Sequence, residues 1–187
     1  QSLDDDTVFF EKNADKKMPA AAFIKLIASV VAIEKWGNLD ERVTVTKENL
    51  SLVKYDYGIR TAKYKEGEKV SKKELIDCLI VYSANDAVSI IAKEVSGSLG
   101  AFIGEMQALA DKIGCKTTKI KNIHGFDEDG QYTTAKDVAK FMKYALTYPV
   151  FSEAISADSV TLKGTSQNDE RTYLSSNKMK KSSISDY

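Results

Sequence analysis

The 187-residue chain predicts an α+β or mixed α/β fold. Its middle reads as a run of helices, and strand signals flank that run at both ends. The length fits one domain at roughly 150 residues per domain, with room for a small lobe. Lys plus Arg and Asp plus Glu both number 27, so the formal net charge is zero. A nucleic-acid binder carries a basic excess, and no nucleic-acid partner is expected here. Apolar residues at 43% and charged residues at 29% fit a globular chain and argue against long disorder.

Residues 3–12 read as a turn followed by a short strand. Asp4-Asp5-Asp6 lacks the spaced ligands of a calcium loop and reads as a solvated turn. Residues 20–36 read as a helix that is apolar on nearly every face, hence buried. Its apolar stretch, Pro19 to Ile33, is interrupted by Lys25 and Ser29 and falls short of the roughly 20 residues of a membrane span. Gln1 opens the chain without a signal-peptide pattern, which leaves export open. Gly37-Asn38 stops the helix.

Residues 39–73 are mixed and polar, with turn signals at 56–58 and 66–67. Residues 74–82 read as a helix, broken by Ser83-Ala84-Asn85, and a second helix runs to about Val95. Ser83 and Asn85 suit its N-cap. Residues 99–113 form an amphipathic helix closed by Gly114, and 122–132 form a loop. Thr134 and Asp137 have capping-box spacing. The helix they open runs to about Thr147, with Pro149 as its stop. Residues 159–163 and 171–175 read as two strands.

Cys78 sits in an apolar segment and reads as a small core residue. Cys78, Cys115 and the lone His124 lack zinc-site spacing, and a Cys78–Cys115 disulfide stays open.

Two elements carry candidate chemistry. Lys25 lies on a buried helix, where it must be paired, lose its proton or snorkel to water. Snorkelling is the simpler reading of that residue alone. A paired or neutral Lys is a candidate general base. Ala22 precedes it by one turn on the same helix face. A Ser at position 22 would set a hydroxyl beside the amine, the pairing used in acyl transfer, and Ala22 has no hydroxyl. Ser83-Ala84-Asn85 breaks an apolar helical region with two hydrogen-bonding side chains. By itself it reads as a helix cap.

Taken together and in order, these segments resemble a family. Pro19-Ala20-Ala21-Ala22-Phe23-Ile24-Lys25 resembles the Ser-x-x-Lys segment of penicillin-recognising serine enzymes, with Ala22 in the Ser place. Ser83-Ala84-Asn85 resembles their Ser-x-Asn segment. The likeness is to low-molecular-mass penicillin-binding proteins that act as serine-type D-alanyl-D-alanine carboxypeptidases. It extends over Val8–Asp15, Gly67-Glu68, Leu75–Ala87, Gly97-Ser98, Phe102–Met106, Asn122–Gly125 and Tyr132–Asp137.

The resemblance implies a β-lactamase/transpeptidase-like two-lobed α+β fold, with a helical lobe beside an antiparallel sheet. The site would lie between the lobes. It implies peptidoglycan stem peptides ending in D-Ala-D-Ala as substrate and β-lactam antibiotics as acylating mimics. Lys25 would be the base, Ser83 the proton relay, and Asn85 would hold the substrate amide and Lys25. No metal or organic cofactor is implied. The location would be extracytoplasmic, with membrane association through a segment outside this chain. His124 and Gly125 would serve the fold.

The chain departs from the family at two places. Ala22 stands where the nucleophile belongs, which reads as a Ser→Ala change that traps a substrate complex. A natural loss in a peptidoglycan-binding pseudoenzyme is the other reading. The second departure is that residues 1–187 contain no Lys-Thr-Gly; Lys163-Gly164-Thr165 reads as a hairpin turn. The expectation is one peptidase domain over 1–187 without its last sheet strands, leaving an exposed sheet edge. A β-lactamase-like enzyme on the same scaffold would need a further Glu, for which Glu128 and Glu153 are nominal candidates.

Overall fold

Helix α1 (Phe23–Lys35) is wrapped on all sides, with eight buried residues among Ile24–Ala32. The computed structural model describes residues 1–5, 7–53 and 59–177. Around α1 pack α4 (Asn85–Ser96), α5 (Leu99–Ile113) and α6 (Ala135–Ala145). They join it in one core that also takes in Leu75, Leu79, Phe102, Met106, Phe141 and Phe151. An all-round apolar helix forms here because every face meets another helix, as its sequence requires.

Two short antiparallel sheets complete the α+β architecture. Strand β1 (Arg42–Thr44) pairs with β2 (Lys69–Ser71), with Val43 opposite Val70. The polar stretch 39–73 concealed both strands, because three residues are too few for an alternating pattern to register. Between them, α2 (Lys47–Ser51) starts with a capping box in which Thr46 and Asn49 satisfy each other's backbone. The turn expected at 56–58 lies outside the described residues, as does Asp6. The turn at 66–67 is present, with Gly67 at φ +82°.

Ser71 and Glu74 form a second capping box and open α3 (Lys72–Asp77). One π-helical turn, Cys78–Tyr82, follows directly. Helix α5 has its expected bounds, capped by Ser98 and ended by Gly114 at φ +86°. Strands β3 (Ser159–Leu162) and β4 (Arg171–Leu174) form an antiparallel hairpin, and Lys163-Gly164-Thr165 lies in its connection. Both cysteines are free and buried.

Four local expectations are corrected. Residues 7–12 form no strand, because no described strand lies alongside to take their backbone hydrogen bonds. Val8, Phe9 and Phe10 remain exposed there. The capping box at Thr134 is half made. Thr134 Oγ1 accepts from Asp137 N at 3.1 Å, while the Asp137 carboxylate turns to Thr117 N at 2.8 Å and Thr118 Oγ1 at 3.0 Å. Pro149 opens α7 (Pro149–Ser156), since Pro fits the first helical turn, where its missing N–H costs nothing. Finally, Ser83 and Asn85 do not cap α4. The N-cap is Ala84, with no side-chain hydrogen bond, so both flanking polar side chains are left for other work.

Candidate active site

The site starts at a tight approach before α1. Ala21 has φ +45°, in the left-handed region that a non-Gly residue seldom adopts. Its carbonyl faces Gly125, where an added Cβ would lie 2.1 Å from the Ala21 oxygen. Gly125, itself at φ +79°, is therefore required by both space and backbone. This bend turns the chain so that Ala22 stands exposed at the N-cap of α1.

Lys25 follows one turn later, its N–H bonded to the Ala22 carbonyl at 3.0 Å. The side chain does not snorkel: Lys25 is only 6% exposed. Its ammonium donates to the Ser83 carbonyl at 2.8 Å and to Ser83 Oγ at 3.1 Å. Burial lowers the Lys25 pKa to about 8; the like charge of Arg60 adds to this, and Asp86 opposes it.

The π turn explains how Ser83 reaches Lys25. A π turn holds an extra residue against the α-helical count and is frequent at functional sites. It ends in Ser83 at φ +64°, ψ +38°, which stops the helix and directs both Ser83 oxygens toward α1. The next helix then begins at Asn85, whose N–H donates to the Arg60 carbonyl at 2.8 Å. Asn85 is 3% exposed, and its Oδ1 lies 3.3 Å from His124 Nδ1. A carbonyl oxygen there calls for the Nδ1–H tautomer of His124. Lys25 is thus held by Ser83, and Asn85 by His124.

Ala22, Lys25, Ser83 and Asn85 line one cleft of about 460 Å³. All four residues singled out in the sequence meet there. Arg60 and His124 line it as well. His124, expected to serve the fold, has its imidazole beside the Asn85 amide. Arg60 carried no signal, being an isolated cation in a polar stretch.

A groove of similar size, about 470 Å³, lies between the N-terminal segment and α6. Its walls, including Val8, Phe10, Ala135 and Ala139, offer no nucleophile or base in a comparable arrangement. Glu128 accepts from Asn122 Nδ2, Glu153 lies beside Lys73, and neither lines the 460 Å³ cleft. Among the described residues, no group of three His, Cys, Asp or Glu side chains could hold a metal ion.

The sequence profile described as D-alanyl-D-alanine carboxypeptidase (peptidase S11) matches residues 3–184. The chain belongs to the D-alanyl-D-alanine carboxypeptidase family. Among curated members, it is 35% identical over 155 residues to D-alanyl-D-alanine carboxypeptidase DacC of Escherichia coli K12, covering 78% of this chain and 38% of that one. It is 27% identical over 145 residues to DacF of Bacillus subtilis 168, covering 75% and 36%. The chain therefore spans little more than a third of the length of these relatives.

Solved structures agree on the fold. Penicillin binding protein 6B from E. coli superposes with a TM-score of 0.80 at 27% identity, covering 92% of this chain and 55% of that one. The Streptomyces K15 DD-transpeptidase gives 0.85 at 24% identity, covering 95% and 71%. The transpeptidase-like α+β architecture is therefore this chain's fold. Position 22 carries Ala here and lines one cleft with Lys25, Ser83 and Asn85.

Proposed function

We propose that this chain carries the helical part of a serine-type D-Ala-D-Ala carboxypeptidase site. In this reading it binds peptidoglycan stem peptides and β-lactams but forms no acyl-enzyme while residue 22 is Ala. The observation that carries the reading is the Lys25 ammonium, one turn from position 22 and hydrogen-bonded to Ser83. A Lys with a pKa lowered to about 8 is poised to exchange protons near neutral pH.

With Ser at position 22, neutral Lys25 takes the hydroxyl proton as Oγ attacks the carbonyl of the penultimate D-Ala. The peptide C–N bond breaks as Ser83 passes a proton to the leaving D-Ala amine. Water then attacks the ester and releases the shortened peptide. Asn85, held by His124, orients the substrate amide. A β-lactam opens its ring amide in the same way and stays attached as an ester. The reading places this work outside the cytoplasmic membrane, where peptidoglycan lies. Residues 1–187 act as one peptidase domain, and the family's Lys-Thr-Gly segment is taken from outside them.

A non-catalytic peptidoglycan-binding role is the second reading, favoured by Ala22 itself. The codon for residue 22 in the native gene separates the two. The chemical test is release of D-Ala from a peptide ending in D-Ala-D-Ala by the Ala22→Ser protein. Release supports the carboxypeptidase reading, and a folded protein that binds the peptide without releasing D-Ala supports the binding role.

A further inference from the structure

Arg60 stands in the cleft with its backbone fixed and, among the described residues, no carboxylate paired to its guanidinium. Its carbonyl accepts the Asn85 N–H at 2.8 Å. Two residues on, Ala62 N donates to the buried Asp86 carboxylate at 2.8 Å, and Tyr64 N donates to it at 3.3 Å. The guanidinium lies over the Tyr82 ring, 5.6 Å from its centroid. Tyr82 in turn stacks on Tyr173 at 4.4 Å. The head group is thus steadied by an aromatic platform next to Ser83, yet the residue is exposed.

No ion pair among the described residues involves Arg60. Among the described residues, no Asp or Glu lines the cleft, while two cations, Lys25 and Arg60, do. Lys25 is turned inward to Ser83, so among the described lining residues Arg60 is the Lys or Arg that faces solvent. A concave site lined by positive charge attracts anions. The planar guanidinium fork matches a carboxylate in a two-point hydrogen bond.

We propose that Arg60 binds a carboxylate of the peptide that occupies this cleft. This rests on the reading that the cleft takes peptides ending in D-Ala-D-Ala. Such a peptide has two sources of carboxylate: its C-terminus and an acidic residue upstream.

The test is equilibrium binding by calorimetry to the chain as it stands, in which Ala22 prevents turnover. Three peptides are used: one ending in D-Ala-D-Ala with the C-terminal carboxylate as its only acid, its C-terminal amide, and that amide carrying a glutamate upstream. Each is titrated into the original chain, Arg60→Gln and Arg60→Lys. Because the Arg60 side chain is exposed, both variants should keep the thermal midpoint.

Arg60→Gln is expected to weaken one of the two acid-bearing peptides about tenfold, the loss of one charged hydrogen-bonded contact. It should leave the plain amide unchanged, and Arg60→Lys should recover part of the loss. Weakening confined to the free-acid peptide assigns the C-terminal carboxylate, and weakening confined to the glutamate peptide assigns the upstream one. Equal affinities of the original chain and Arg60→Gln for all three peptides overturn the role of Arg60 alone. Failure of all three to bind the original chain overturns the ligand class, and this proposal with it.

Discussion

Lys25 Nζ and Ser83 Oγ lie 3.1 Å apart although 58 residues separate them in sequence. The Ser83 carbonyl, 2.8 Å from the same ammonium, closes a two-point contact between the first turn of α1 and the end of the π turn. A cation buried to this degree needs such partners, because the interior does not solvate it. The contact also decides the protonation chemistry open to position 22.

The pH dependence of acylation follows from Lys25. A base must be neutral to accept the proton, and the Lys25 pKa is lowered from 10.5 to about 8, chiefly by burial. In the Ala22→Ser protein, β-lactam acylation is expected to rise about tenfold per pH unit well below pH 8 and to level off above it. Arg60 contributes to that lowering, so Arg60→Gln should move the midpoint to higher pH. Stopped-flow rates between pH 5 and 10 check both, and a flat profile would remove Lys25 from the role of base.

Ser83→Ala separates proton relay from fold. It removes one of two oxygens bonded to Lys25 and keeps the carbonyl. In the Ala22→Ser background, acylation should slow by about a hundredfold or more. The stability cost should be about 2 kcal/mol, one hydrogen bond to a charged group. Rates by intact mass over time, paired with a denaturant melt, distinguish this from simple unfolding.

Most of the site is legible in the sequence because its parts obey local rules. An apolar run around Lys25 defines a buried helix, and the i, i+3 spacing puts residue 22 on the same face. Ser83-Ala84-Asn85 is visible as a break. Its geometry is not, since nothing in Cys78–Tyr82 distinguishes a π turn from an α turn, and only that turn delivers Ser83 to Lys25. His124 and Arg60 reach the cleft through long-range packing of loops, which no local periodicity encodes. Strands β1 and β2 escaped notice because three-residue strands are specified by their partner rather than by their own pattern.

Gly125 should tolerate no side chain. Gly125→Ala would bring a Cβ within 2.1 Å of the Ala21 oxygen at a backbone φ of +79°. The expected loss is more than about 2 kcal/mol, combining backbone strain and overpacking. Urea unfolding of the variant measures it. A variant as stable as the parent would show that the bend before α1 relaxes freely.

The loop carrying Arg60 is clasped to the β3–β4 hairpin by a buried ion pair. Glu68 is fully buried and accepts from Arg171 Nη2 at 2.5 Å, Asn168 Nδ2 at 2.7 Å and Lys65 N at 3.0 Å. Removing one partner of such a pair leaves an uncompensated buried charge. Arg171→Met is therefore expected to cost about 3 kcal/mol, read as a lowered urea midpoint at pH 7. An unchanged midpoint would mean that the clasp contributes nothing to the fold.

In the proposed function, Lys25 and Ser83 are the proton-transfer pair of an acylation site whose hydroxyl is missing at position 22. Intact-mass analysis after incubation with a penicillin tests this on an Ala22→Ser protein that includes the family's Lys-Thr-Gly segment. The expected result is a gain of one β-lactam mass, lost when Lys25→Ala is added. A folded Ala22→Ser protein that never gains that mass would contradict the claim.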